Sequence, residues 1–225
     1  GSQIIGMGKE FYENFDYVKN YFSQADEIIK KKLSHIILEG PRDDLNQTEN
    51  TQPAIFLVSF AIFKVLEKET EFNLFDAKFY AGHSLGEYSA LCCAGSINFE
   101  QTIELLKSRG KAMQNAMPNG EGGMVAVLGA DIETINKIFK ENNQLQCYVA
   151  NDNSAGQIVV SGKTSSLHKL ENLLTEKKIK FVKLPVSAPF HSPLMRNATV
   201  EMQDKINDAI FSNPKVSIIS NVTAN

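Results

Sequence analysis

Ala77–Ala81, "AKFYA", is an apolar run too short for a helix, and it meets Gly82-His83-Ser84-Leu85-Gly86 before a stretch of helix formers begins. A buried strand that turns through two glycines straight into a helix belongs to α/β architecture, in which the helix packs back onto a parallel sheet. The glycines leave nothing bulky beside Ser84, so its hydroxyl stands at the carboxyl end of the strand. The free N–H groups and positive dipole end of the following helix face the same place. An oxyanion formed there would be stabilised, with the Leu85 N–H as one donor. The competing reading is a glycine-flanked turn whose serine only caps a helix.

The rest of the chain can support such a fold. It has 225 residues, of which 43% are hydrophobic and 14 are phenylalanine, enough for one large domain or a domain carrying a smaller insert. A net charge of −3 provides no basic stripe, which argues against nucleic acid or an anionic membrane surface as the main partner. Three cysteines, Cys92, Cys93 and Cys147, have neither a disulfide-framework nor a metal-ligand spacing, so a reducing, cytoplasmic setting and no metal are expected. The longest apolar run, Pro53–Leu66, is too short to span a bilayer and is interrupted by Lys64. No basic stretch followed by an apolar segment marks a secretory leader at the N-terminus.

Phe11, Phe15, Val18 and Phe22 fall at helical spacing and lead into "ADEIIKKKL", predicting two amphipathic helices or one broken one, with a polar loop after them. Thr51 as cap and Pro53 in the first turn predict a central helix over 53–67, apolar on nearly all sides. The helix after the glycine turn runs to about Ala94. Asn98 and Gln101 form a capping-box-like start for another, ending near Met117, where Pro118, Asn119 and Gly120 break the pattern. From there the order is strand (124–130), helix after Asp131, strands "QCYVAN" and "QIVVSG", helix after Thr164, and strand "KFVKLPV". That is the β-α-β-β-α-β order of a ferredoxin-like unit, which sets 120–186 apart as a small subdomain inserted between 1–119 and 187–225. Ser192 as cap and Pro193 then open a helix, and Val216–Ser220 reads as a further buried strand.

A nucleophilic serine needs a base. His168 falls on a surface helix among "LHKLEN" and His35 in a helix end or loop, both read as solvated, and His83 adjoins Ser84 on a turn whose neighbouring side chains diverge. His191, in the proline-bounded loop "PVSAPFHSP", is the candidate base. Arg109 is the sharper signal. On the helix 99–117, Glu104, Lys107, Ser108, Lys111, Gln114 and Asn115 share one side, and Leu105, Leu106, Ala112, Met113 and Ala116 the other. Arg109 falls on the apolar side, where a guanidinium must find a carboxylate, on the protein or on a substrate, or snorkel to an edge.

The motifs "GHSLGEYSAL", "SRGKAMQNA", "NDNSAGQIVVSG" and "PVSAPFHSPLM", with "GSQIIGMG" and "TQPAIF" before them, resemble the malonyl-CoA:acyl carrier protein transacylases of fatty acid synthesis over essentially the whole chain. The resemblance implies an α/β hydrolase-like large subdomain with a ferredoxin-like insert. It implies Ser84 as the acylated nucleophile, His191 as its general base and acid, Arg109 as partner of the malonyl carboxylate, and Leu85 as an oxyanion N–H donor. Met113, Met124, Asn153 and Phe190 would line the acyl pocket. The implied partners are a coenzyme A thioester and acyl carrier protein, with no cofactor beyond these substrates. The family pattern extends beyond both Gly1 and Asn225, so the large subdomain is expected to be incomplete. Two alternatives stand beside this one: a serine hydrolase or thioesterase on the same elbow, and an inactive fragment that only binds the acyl carrier.

Overall fold

The computed structural model describes residues 2–118, 120–186 and 188–225. Gly1 of the opening motif, and Asn119 and Ser187 at the expected subdomain limits, lie outside the described residues. The chain is α/β, with one parallel and one antiparallel sheet. It separates into two compact units, Gly1–Lys111 with Gln203–Asn225, and Ala112–Met202.

The first unit begins with α1 (Lys9–Asn14) and α2 (Asp16–Ile29), separated by the extended Phe15. Val18, Phe22, Ala25 and Ile29 repeat at three- and four-residue intervals and are the buried face of α2. The polar loop expected next instead holds two short helices, α3 (Leu33–Leu38) and α4 (Arg42–Asn46). Leu33, Ile36, Ile37 and Leu45 are buried there, and their contacts outweigh the charged residues between them.

The central helix α5 (Thr48–Glu69) starts earlier than its sequence signals suggested. Thr51 is not its cap: the hydroxyl turns back and donates to the carbonyls of Leu45 (2.5 Å) and Gln47 (3.1 Å), so Thr51 and Pro53 both lie inside the helix. Its apolar surround is as expected, with Phe56, Leu57, Phe60 and Ala61 buried. Phe60 stacks at 4.9 Å on Phe99, the first residue of α7 (Phe99–Asn115). Asn98 caps α7 by accepting the Gln101 N–H at 2.8 Å.

Between α5 and α7, the strand β1 (Phe79–Ala81) leads through the glycine turn into α6 (Gly86–Cys93). β1 pairs in parallel with β6 (Ser217–Ile219), Tyr80 lying opposite Ile218. Neither strand is deeply buried, contrary to expectation. Phe79 is 58% exposed, because among the described residues β1 and β6 have only each other as ladder partners.

The second unit is built on β2 (Gly122–Leu128), α8 (Ile132–Glu141), β3 (Cys147–Ser154), β4 (Gln157–Lys163), α9 (Thr164–Glu176) and β5 (Lys180–Lys183). The sheet order is β3-β4-β2-β5, every pair antiparallel. Strand alternation divides its residues: Val125, Val127, Ile158 and Val160 pack with Ile135 and Ile138 of α8 and Leu170 and Leu174 of α9, while Met124, Ala126 and Val159 form a cluster of their own. A 3₁₀ turn at Pro193–Met195 precedes α10 (Arg196–Asn207). Ser192 occupies the cap position expected of it without capping, since its Oγ donates to the Pro189 carbonyl at 2.6 Å. The limits of the two units fall within α7 and α10. Among the described residues no helix is long and apolar enough to cross a membrane.

Candidate active site

The turn after β1 is forced by Gly82, where an added Cβ would sit 1.9 Å from the Gly86 carbonyl oxygen. At Gly86 a Cβ would meet nothing within 4 Å, so that residue contributes only open space. Ser84 itself has φ 54°, the left-handed region that costs a non-glycine residue about 1–2 kcal/mol. Such strain persists only where neighbours over-determine it. Here the Gly86 N–H donates to the His83 carbonyl (2.9 Å) and the Glu87 N–H to that of Ser84 (3.1 Å). The Leu85 N–H, just ahead of the first residue of α6, enters no backbone hydrogen bond among the described residues.

Arg109 reaches the serine from α7. Its Nη2 donates to Ser84 Oγ at 3.2 Å and its Nη1 to Gln52 Oε1, and the guanidinium lies 5.9 Å over the Tyr88 ring. Burial pushes the Arg109 pKa down and that of Tyr88 up, since each charged form is poorly solvated. Among the described residues no Asp or Glu forms a salt bridge with Arg109, so the internal ion pair that the sequence left open is not found. Gly110 permits the approach of the two helices: a Cβ there would lie 2.5 Å from the Thr48 carbonyl oxygen in the first turn of α5. That contact brings Gln52, 4% exposed, to the guanidinium. Sequence reasoning missed Gln52, although an amide on the buried side of so apolar a helix was the available signal.

The other candidates belong to the second unit. His191 also has a left-handed backbone, φ 56°, and follows two pinned carbonyls: Phe190 O accepts from the buried Ser161 Oγ, and Pro189 O accepts from Ser192 Oγ. Met124 and Phe190 share one apolar cluster. Asn153 lies near the hairpin end of β3, where its Nδ2 donates to Gln157 Oε1 at 3.4 Å. Met113 is buried in α7, four residues after Arg109. His35, His83 and His168 are exposed.

Burial pushes Cys92 up to about 11 and both Cys93 and Cys147 up to about 12, which keeps them protonated at neutral pH. Among the described residues no group of three His, Cys, Asp or Glu side chains could hold a metal ion.

A family model described as the acyl transferase domain matches residues 1–225. The malonyl CoA-acyl carrier protein transacylase of Bacillus subtilis (strain 168) is 42% identical over 229 residues, covering 100% of this chain and 70% of the relative. Among solved structures, an acyl-carrier-protein-S-malonyltransferase from Bartonella henselae superposes with a TM-score of 0.95 at 42% identity, covering 100% of this chain and 72% of its own. A malonyl-transacylase in complex with its type II PKS acyl-carrier protein gives 0.94 at 35% identity, with the same coverage of 100% and 72%. The glycine turn, the partly buried arginine beside its serine and the match over residues 1–225 lead to one conclusion: the chain belongs to the acyl transferase domain family.

Proposed function

We propose that this chain transfers a malonyl group from malonyl-CoA to the phosphopantetheine thiol of acyl carrier protein, through a malonyl-Ser84 ester, in fatty acid biosynthesis. His191 takes the Ser84 proton, Ser84 Oγ attacks the thioester carbonyl, and coenzyme A leaves as its thiol with the proton His191 returns. The carrier thiol then attacks the ester, His191 again serving as base, and Ser84 is regenerated. The Leu85 N–H stabilises the oxyanion of both tetrahedral intermediates. Arg109 holds the malonyl carboxylate, and Met113, Met124, Asn153 and Phe190 line the acyl pocket. A thioester carbonyl is already electrophilic, so we assign no metal or other cofactor to either step. We assign 1–119 and 187–225 to a hydrolase-like large subdomain and 120–186 to a ferredoxin-like insert, a reading supported by the sheet order β3-β4-β2-β5. A coenzyme A thioester and acyl carrier protein are the partners, in the cytoplasm.

The observation that supports malonyl over a neutral acyl group is the partly buried Arg109 guanidinium, 3.2 Å from Ser84 Oγ and without a salt bridge among the described residues. An acyl group lacking a carboxylate leaves that charge unmatched, a penalty on the order of 2–5 kcal/mol. Arg109→Ala should therefore slow acylation of Ser84 by malonyl-CoA about thirtyfold or more, while acylation by acetyl-CoA stays level or rises. Intact-mass measurement with each donor, followed by peptide mapping, reads both rates. Equal loss with both donors would make Arg109 structural. Free malonate without an adduct would indicate a hydrolase, and no reaction at all a binding fragment.

A further inference from the structure

Asn221 lies two residues beyond β6 and makes four hydrogen bonds across the glycine turn. Its Oδ1 accepts the Ser84 N–H at 2.8 Å, and its Nδ2 donates to the Gly82 carbonyl and to Glu87 Oε2, both at 2.6 Å. Its own N–H donates to the same Glu87 oxygen at 2.8 Å. Strand register explains the meeting. Ala81 lies opposite Ile219 in the parallel pair, so continuing both chains by two residues sets Asn221 across from His83, between the two backbone groups that it joins. All four residues belong to the first unit.

We propose that Asn221, oriented by Glu87, is the positioning residue that holds Ser84 in its left-handed conformation for acylation. The proposal rests on Ser84 being the acylated nucleophile. A carboxamide of this length both accepts from residue 84 and donates to residue 82, so it closes the turn as a neighbouring strand would. A carboxylate in its place would face the Gly82 carbonyl and the Glu87 carboxylate with an oxygen, and an alanine would bond to neither backbone group. Glu87 fixes which end of the amide is which: a carboxylate beside Nδ2 leaves Oδ1 directed at the Ser84 N–H. It also ties Asn221 to the first turn of α6, where a negative charge suits the helix dipole. Ser84 φ is thus set from outside the turn, by a residue distant in sequence.

The test compares the wild-type chain with N221A, N221D, E87Q and the N221D/E87Q double variant. Four quantities are measured: the limiting rate of Ser84 acylation and the half-saturating malonyl-CoA concentration by quenched intact mass, the labelling rate with an alkyl fluorophosphonate, and the Tm by circular dichroism. N221A should lower both reaction rates about tenfold or more, since a misplaced nucleophile loses its attack geometry, with half-saturation changed less than about twofold. N221D should be slower still, and adding E87Q should recover part of that loss by restoring a donor to the new carboxylate. Wild-type rates in N221A, or losses only in proportion to the fraction unfolded, would overturn the assignment, as would a double variant no faster than N221D. A wild-type chain labelled by the fluorophosphonate but not by malonyl-CoA would sink the substrate proposal alone, the fluorophosphonate rates still deciding for or against Asn221. Inertness to both reagents would overturn both.

Discussion

Gln52 accepts a hydrogen bond from Arg109 Nη1, while the other arm of the fork reaches Ser84. A neutral acceptor orients the guanidinium without cancelling its charge, which is what a site for an anionic substrate requires. Gln52→Glu would supply the protein carboxylate that Arg109 lacks among the described residues, and the pair would then satisfy itself. The expected outcome is a fall of tenfold or more, by order-of-magnitude reasoning about hydrogen bonds to charged groups, in the malonyl-to-acetyl ratio of kcat/KM. An unchanged ratio would show that the Arg109 charge does not select the donor. Arg109 and Ser84 were both singled out at this scale, one from a charge on an apolar stripe and one from its glycines, and the fold brings them to 3.2 Å. Asn221 was not singled out, because an amide after a strand has no local signature and gains its role from what it faces, and Gln52 left only the signal of an amide on the buried side of an apolar helix.

Elements were legible where a local rule set them, as with the Asn98 cap of α7 and the alternation in β2 and β4. They were misread where a side chain had two choices. Thr51 could accept from an amide and cap, or donate to a carbonyl and sit inside a helix; contacts with Leu45 and Gln47 made it donate. Gly110 shows the reverse, a residue that weakens its own helix yet is needed for helix packing. Gly110→Ala would place a Cβ against the Thr48 carbonyl and the Glu49 backbone and force α5 from α7. A loss of about 1–3 kcal/mol is expected despite alanine's better helix propensity, with Arg109 displaced from Gln52. Urea unfolding checks the first effect and the malonyl-to-acetyl ratio the second. A more stable variant with an unchanged ratio would contradict the packing argument.

For the molecule as a whole, the buried thiols set an alkaline limit. Cys93 and Cys147 rise from an ordinary 9.0 to about 12 on folding, and Cys92 to about 11, each chiefly through desolvation of the thiolate. A folded-state pKa above the unfolded one means that the contribution is fully present below about pH 9 and is lost as pH rises towards 11–12. Urea midpoints should therefore be level from pH 7 to about 8.5 and decline by pH 10.5, and Cys147→Ala should decline less steeply than the wild type. Equal slopes for the two proteins would remove Cys147 as a cause.

The sequence by itself determined the α/β class and the order of elements along 120–186, and it singled out Ser84, Leu85 and Arg109. These follow from periodicity, from glycines at a tight turn and from a charge that cannot be shed, all of which act over a few residues. The tertiary structure alone decided that Arg109 meets Gln52 and Ser84 rather than a carboxylate, and that Asn221 closes the turn around the serine. Those contacts span 57, 25 and 137 residues of chain. Helix packing at Gly110 and the parallel register of β1 with β6 create them, and neither leaves a mark in the local sequence that could be read before the chain is folded.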